Sequence, residues 1–496
     1  MQPAVSSLLV ALEKLHAARS GHARPLRRKR HHHLVDEPLV IVPLKLAGEA
    51  AAPLGCAVGT DPDDPLLLTV PQPRNRDLQH AFFLELARVV LDYIAARQTE
   101  TEEVLSHRRD EPPRLRYADA PQILTPNRPA LEYLGLLGRL TRFQETEDEV
   151  PLLGRWLTFF ADRAEYPGSS LALAMTDLLT AQWATGQSEL EDANLAMLLA
   201  WICPPEGMTG AQAARAAEDP LDFPPAGPAT DPEFDNLVLQ PAVHGYDRAA
   251  AAGDRVALAR AEAKIREAVA SQLMPTWRLM WKGLERLRAL PEAPHCEQRW
   301  AADRDRFTGH VDHIAEGGPP QPRHDHAVAA AARLATLERA QGRFEAEQAL
   351  DDPFVLAELR TLGEAFGGTV VDREPDRTEV SPKGRVLLRP RLTVRTEDPV
   401  RIEHDQTYVS PERPRQTVRI RQVVDDDSGC LLVLDVISGM GTPKRPAPIP
   451  ELGETVCYTR APAQFGGQEF PAPEETPWTH GGPPADLDEP HREPDQ

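Results

Sequence analysis

Residues 254–290, DRVALARAEAKIREAVASQLMPTWRLMWKGLERLRAL, constrain the fold more than any other stretch. Leu258, Ile265, Val269, Leu273, Trp277, Met280, Trp281, Leu284 and Leu287 recur at intervals of three, four or seven. At 3.6 residues per turn they make one apolar stripe. Arg260, Glu262, Lys264, Arg266 and Glu267 fall mostly off it, and alanine fills the rest, which favours helix. Such a helix spans roughly 50 Å. Standing alone it would expose two tryptophans, so neighbouring helices or a second subunit must cover it. Pro275 lacks an N–H and crowds the preceding turn, which predicts a kink or two abutting helices.

Around this spine the chain divides by composition. Its 496 residues suffice for two to four domains. The 49 prolines cluster between helical blocks and toward the C-terminus. The predicted segments are an N-terminal helix and basic arm (1–34), a small α/β unit (35–126) and a helical domain (127–219). A Pro-rich linker (220–232), a long-helix hairpin or bundle (233–366), a β module (367–461) and a disordered acidic tail (462–496) follow. The fold class is therefore α+β: a mainly helical body, a small N-terminal α/β unit and a C-terminal antiparallel barrel or sandwich.

Strands are predicted at Pro38–Leu46 and Leu66–Pro71 and a helix at Asp77–Gln98, with DPDDP at 61–65 as a turn. Asn127–Glu218 reads as stacked helices, including one opened by Ser169 and closed by Gly186. After Gly367–Gly368 alanine gives way to Val, Ile, Thr and Arg. Strand candidates there are Arg385–Thr396, Val400–His404, Gln416–Val424, Cys430–Ile437 and Thr455–Thr459, with DDDSG at 425–429 as a hairpin turn.

Charge narrows the function. The formal net charge is −21, so the chain as a whole is a poor ligand for phosphates, which need Lys and Arg. Five cysteines without a CxxC pair predict reduced thiols. The amphipathic start and the lack of a long apolar run predict a cytosolic protein outside the membrane. Two basic stretches oppose the overall sign. Arg24–His33, RPLRRKRHHH, reads as an exposed arm, either a solvated linker or a contact for a polyanion. Residues 383–421 hold ten Lys/Arg and five Asp/Glu. Period-two geometry sets Arg389, Arg391 and Arg395 on one side of a strand and Arg419 and Arg421 on one side of another. The bland alternative is a solvated wall paired with Glu397, Asp398 and Glu403.

Other candidates are weaker. Trp277 and Trp281, beside Arg278 and Lys282, either stack bases or fill the core. Ser438–Lys444 resembles a phosphate loop faintly, but the prolines that follow cannot start a helix. His310 and His313 share a helical face with His324 and His326 one loop on, yet no HExxH pattern is present. Asp36, Glu37 and Lys45 satisfy an acid–acid–lysine nuclease pattern loosely. None of these predicts a catalytic residue, metal or cofactor. The expectation is an adaptor or accessory subunit that docks protein partners, with nucleic acid or an acidic surface on the arginine face or the basic arm. The alternative is a nucleic-acid-processing enzyme whose site is assembled from scattered residues.

Overall fold

The computed structural model describes residues 8–105, 113–220, 223–381, 384, 386–399, 401, 407–426, 429–442, 445–460, 470–472 and 476. At its centre lies a five-stranded mixed sheet. Strands β1 (Leu39–Lys45), β2 (Pro53–Gly59) and β3 (Leu66–Thr69) form an antiparallel meander. Strands β4 (Ile123–Thr125) and β5 (Ala172–Ala174) extend it in parallel, giving the order β3-β2-β1-β4-β5. The apolar run of β1 is buried on both faces, as expected where helices cover a sheet on two sides. The predicted N-terminal α/β unit is present. Its sheet also reaches into the stretch read as purely helical, because β5 stands where a helix had been expected from Ser169.

Helix α1 (Leu8–Ser20) opens the described chain. One face is covered by α2 (Arg76–Ala95), α3 (Arg128–Thr141), α4 (Val150–Arg163) and α9 (Cys296–Ala315); the other by α5 (Met175–Gln182), α6 (Leu195–Ile202), α7 (Gln240–Ala252) and α8 (Arg255–Arg288). Helices α3 and α4 touch closely because Gly154 faces α3; a Cβ there would overlap the Arg142 N and the Thr141 hydroxyl. Helix α8 is the predicted spine, capped by the Asp254 carboxylate on the Val256 and Ala257 N–H groups. It runs as one helix through Pro275 rather than as two. Its stripe does meet a core, but that core is largely the sheet. Ile265, Val269, Leu273, Trp277 and Met280 pack with Val40, Val42 and Leu44. Trp277 is fully buried and donates its indole N–H to Pro62 O at 2.8 Å. Trp281 packs edge-on against it. Trp277 is thus a core residue, and Trp281 is half-buried against the same core.

The basic arm does not hang free. Arg30 pairs with Glu292 at 2.6 Å and Arg27 with Glu358 at 3.4 Å. His33 stacks on Trp300 and its backbone N–H is held by the Ser170 hydroxyl. Arg299 donates to His31 O, and Asp352 accepts from the Arg28 N–H. Carboxylates far away in the chain thus draw a run that looks like a solvated arm into a groove. The described part of the stretch read as a linker, 220–232, is likewise docked. Lys45 N donates to Pro228 O and Thr230 N to Lys45 O.

Helices α10 (Ala327–Asp351) and α11 (Pro353–Leu362) lead to the C-terminal module. It is a closed antiparallel barrel of six strands: β6 (Ala365–Glu374), β7 (Arg391–Thr396), β8 (Thr407–Ser410), β9 (Arg413–Asp426), β10 (Gly429–Val436) and β11 (Thr455–Arg460). The order around it is β6-β7-β10-β9-β8-β11. Leu392, Val394, Val418, Leu432, Leu434 and Val436 fill its interior with Phe366 and Tyr458. Gly368 lies inside β6, where a side chain would collide with Arg395 O. The glycine pair that marks the compositional boundary is therefore part of the first strand rather than a hinge. The expected strand at Val400–His404 and the acidic tail fall almost wholly outside the described residues.

Replacing Trp277 by Ala removes the largest fully buried side chain and leaves the Pro62 carbonyl unpaired. Unfolding in urea is expected to show a loss of about 3–5 kcal/mol. Acid should also weaken the fold. Burial, with the like charges of Arg299 and His31, pushes His32 down to about 3; burial, with Arg155 and His313, pushes His310 down to about 4. Both stay neutral in the folded chain while the unfolded chain protonates them below its ordinary value of 6.5. Stability is therefore complete above pH 6.5 and falls as pH drops toward 4, by up to ~1.4 kcal/mol per pH unit for each histidine. His310→Phe, whose ring suits the stack on Phe159, should flatten part of this fall in melting curves between pH 7 and 4.5.

Candidate functional site

The outer wall of the barrel collects the predicted arginines around one acid. Side chains alternate along each strand, so Arg391, Thr393 and Arg395 point outward while Leu392 and Val394 point in. Register then sets Arg391 of β7, Asp435 of β10 and Arg419 of β9 side by side. A bulge between Ile420 and Gln422 swings Arg421 toward the same carboxylate. Arg391 Nε donates to Asp435 Oδ1 at 2.8 Å and Arg421 Nε to Oδ2 at 2.7 Å. Arg377 Nη1 lies 3.5 Å from Oδ1. Arg389 is tied in through the backbone: its N–H donates to Arg377 O, and Arg377 Nη1 returns a bond to Arg389 O. Arg395 sits farther along β7, opposite Leu431.

Asp435 is thus a buried carboxylate with three guanidiniums over it, its side chain 1% exposed. Burial opposes its charge, but hydrogen bonds from Arg391 and Arg421 outweigh this and hold its carboxyl below the usual range. Arg391 gains in return: its bond to Asp435 raises it above the ordinary arginine value. Asp435 and Glu374, which stands cross-strand from Arg391, bring two negative charges to Arg377, Arg391 and Arg421, so an excess of positive charge remains on this wall. Arg419 adds another, and its Nε is buried without a hydrogen-bond partner. Pairing within the wall does occur, but through Asp435, while Asp398 binds Arg360 instead. Sequence reading missed Arg377, which precedes the barrel hairpin of Thr378–Val380 and Val386–Leu388, and it missed Asp435. Alternation alone would have placed Asp435 outside, since Leu434 and Val436 flank it.

Among the described residues the wall has no aromatic platform. Tyr408 is buried inside the barrel against Phe366. What it offers is guanidinium forks, which suit phosphate or carboxylate oxygens.

The remaining candidates resolve into structural roles. His310 stacks on Phe159 with ring centroids 4.3 Å apart, His313 meets Pro319 O, and His326 caps α10 by accepting from the Ala329 N–H. Among the described residues no group of three or more His, Cys, Asp or Glu side chains is placed to hold a metal ion. Gly441–Thr442 pairs with Arg445–Pro446 in a tight hairpin, so the glycine-rich stretch is a turn. Asp36 and Glu37 precede β1 and Lys45 ends it. At roughly 3.3 Å per residue the strand separates them by about 20 Å, too far for one catalytic group. All five cysteines are free thiols, and none of the described helices is long and apolar enough to cross a membrane.

Asp435→Asn removes the charge that two arginines bond. It should lower barrel stability by about 1.5–3 kcal/mol in denaturant titration at pH 7. The difference from the unaltered protein should shrink as pH falls through and below the usual aspartate range, because the Asp435 carboxyl is held below that range and loses its contribution only once it is protonated.

No protein-family model, curated protein or solved structure matches this chain.

Proposed function

We propose that this protein is a non-catalytic accessory or adaptor subunit whose barrel wall holds a polyanion, with nucleic acid as the ligand class. Its α/β/α body docks protein partners. The observation that carries the reading is the cluster of Arg377, Arg391 and Arg421 around the single carboxylate of Asp435. It lies in a chain of net charge −21. With guanidiniums and no exposed ring, the wall contacts phosphates rather than bases, so binding is strong in low salt and blind to sequence.

The crevice at the carboxyl ends of the parallel strands supports binding over catalysis. In open α/β sheets, ligands enter there. In this protein the chain's own segment around 226–230 fills it: Asn127 Nδ2 donates to Gly227 O at 3.1 Å, and Lys45 bonds Pro228 and Thr230. Lys45 itself turns its ammonium onto the Tyr133 ring. An acidic protein surface is the competing ligand for the wall, and a nucleic-acid-processing enzyme the competing function.

Fluorescence anisotropy with labelled single-stranded DNA and RNA tests the reading. Log affinity should fall with log salt at a slope of about −3, as expected for some four phosphate contacts. Changing Arg389, Arg391, Arg419 and Arg421 together to Glu should abolish binding, while Asp435→Asn should strengthen it. Unchanged binding in the fourfold variant would remove the proposal, and turnover of either nucleic acid would favour the enzyme.

A further inference from the structure

A cleft of about 480 Å³ lies between the turn 164–170 that follows α4 and one face each of α9 and α10. Five arginines line it, Arg163, Arg299, Arg306, Arg339 and Arg343, against two carboxylates, Asp303 and Glu347. Both carboxylates are already engaged. Glu347 accepts from Arg299 at 2.6 Å and from Arg343 at 2.7 Å. Asp303 accepts from the Ser169 hydroxyl at 2.8 Å and the Ser170 N–H at 2.6 Å, which fixes the turn. Burial still lifts its carboxyl to about 6 despite those bonds, so it is a weak counter-charge in mildly acidic solution.

Among the described residues three of these guanidiniums have no carboxylate in hydrogen-bond range. There Arg339 donates to Ala335 O and the Thr336 hydroxyl of its own helix. The Arg306 side chain is exposed and, among the described residues, makes no hydrogen bond. Arg163 is the informative one. Its side chain is 10% exposed, and the nearest carboxylate oxygen, on Asp303, is 3.7 Å away. It lies over the Tyr166 ring at 3.8 Å, and its Nε is buried with no hydrogen-bond partner. Desolvation outweighs the opposing pull of the Asp303 and Asp162 carboxylates and, with a smaller push from the like charge of Arg306, holds it below the ordinary arginine range. A guanidinium carries five N–H donors in a fixed fork, and burying them unmade is costly. A neighbouring cation makes the arrangement worse unless an anion sits between them.

We propose that this cleft binds a phosphorylated small molecule of nucleotide size, with its phosphate oxygens accepting from Arg163, Arg306 and Arg339. One carboxylate would balance only one of the three cations, whereas a di- or triphosphate matches their number. The guanidinium fork fits phosphate oxygens in pairs. The cleft volume falls within the range of small-molecule sites, about 300–1,000 Å³. Gly168 lets the turn come close on the other side, since a Cβ there would press on Arg299 and Phe344 at 2.8 Å. The site shares no residue with the barrel wall and stands or falls separately from it.

Isothermal titration of the full chain with inorganic pyrophosphate and with ATP, in about 0.1 M salt, tests the proposal. Pyrophosphate should bind, and ATP more tightly. Arg306→Glu, at an exposed position that folding does not need, should weaken both by at least about tenfold. Arg163→Lys keeps the charge but loses the fork and should weaken both as well. The fourfold barrel variant should titrate like the unaltered protein. Failure of both probes to bind below about 1 mM, or Arg306→Glu titrating like the unaltered protein, would overturn it. So would loss of ATP binding in the barrel variant alone.

Discussion

Strand β1 sends Leu39 and Ile41 into one core and Val40, Val42 and Leu44 into the other, and every larger element is hung from that alternation. A strand buried on both sides needs helices above and below it. Each helix in turn needs an apolar stripe wide enough to leave no part of the sheet wet. Helix α8 supplies that stripe on one side, with Trp277 at its centre. Helices α2, α3, α4 and α9 supply it on the other. Backbone hydrogen bonds join the strands along the sheet, and one interior amide ties the sheet to what surrounds it. Gln122 is fully buried, accepts from the Val35 N–H and donates to His33 O and Ser170 O. It thereby joins the arm, the sheet and the turn that borders the arginine cleft.

Charge is handled in a second, different way. Acidic overall, the molecule concentrates arginine at interior seams. The arm is held by Glu292, Glu358 and Asp352, and the cleft by Asp303 and Glu347. The barrel wall is held by Asp435. In the arm the charges are nearly matched, and the result is structural. In the cleft and on the wall arginine outnumbers acid, and an excess of guanidinium donors remains. Isolated surface ion pairs contribute little, whereas an unbalanced cluster around a buried carboxylate creates a standing demand for an anion. That difference, rather than any one motif, separates the two proposed sites from the rest of the surface.

The candidate site was partly legible. Alternation of Arg with Leu, Val and Ile in 389–395 and 418–421 is local, so the outward direction of those arginines could be read from the chain. Their convergence could not. It depends on the register of β7, β9 and β10 and on one bulge at 420–422, which turns Arg421 toward Asp435. Arg377 carries no local mark, and alternation gives Asp435 a direction but not its partners. The arginine cleft was invisible for a stronger reason: Arg163, Arg306 and Arg339 stand on three helices, and each alone resembles an ordinary solvated charge.

The sequence by itself determined where elements with a sustained period lie: the long helix from Arg255, the helix over 76–95, the long β1, and most strands of the C-terminal barrel. A repeat of two or 3.6 residues acts through neighbours in the chain and needs no partner to be recognised. Only the tertiary structure decided that the helical blocks wrap a sheet. Strands β4 and β5 are three residues long and exist because β1 offers β4 a parallel edge and β4 in turn offers one to β5. It also decided that the basic arm and the Pro-rich stretch are docked onto the body, because the carboxylates and carbonyls that hold them lie up to some 300 residues away. Attraction at that distance along the chain leaves no periodic trace; it appears only once folding has brought the partners together.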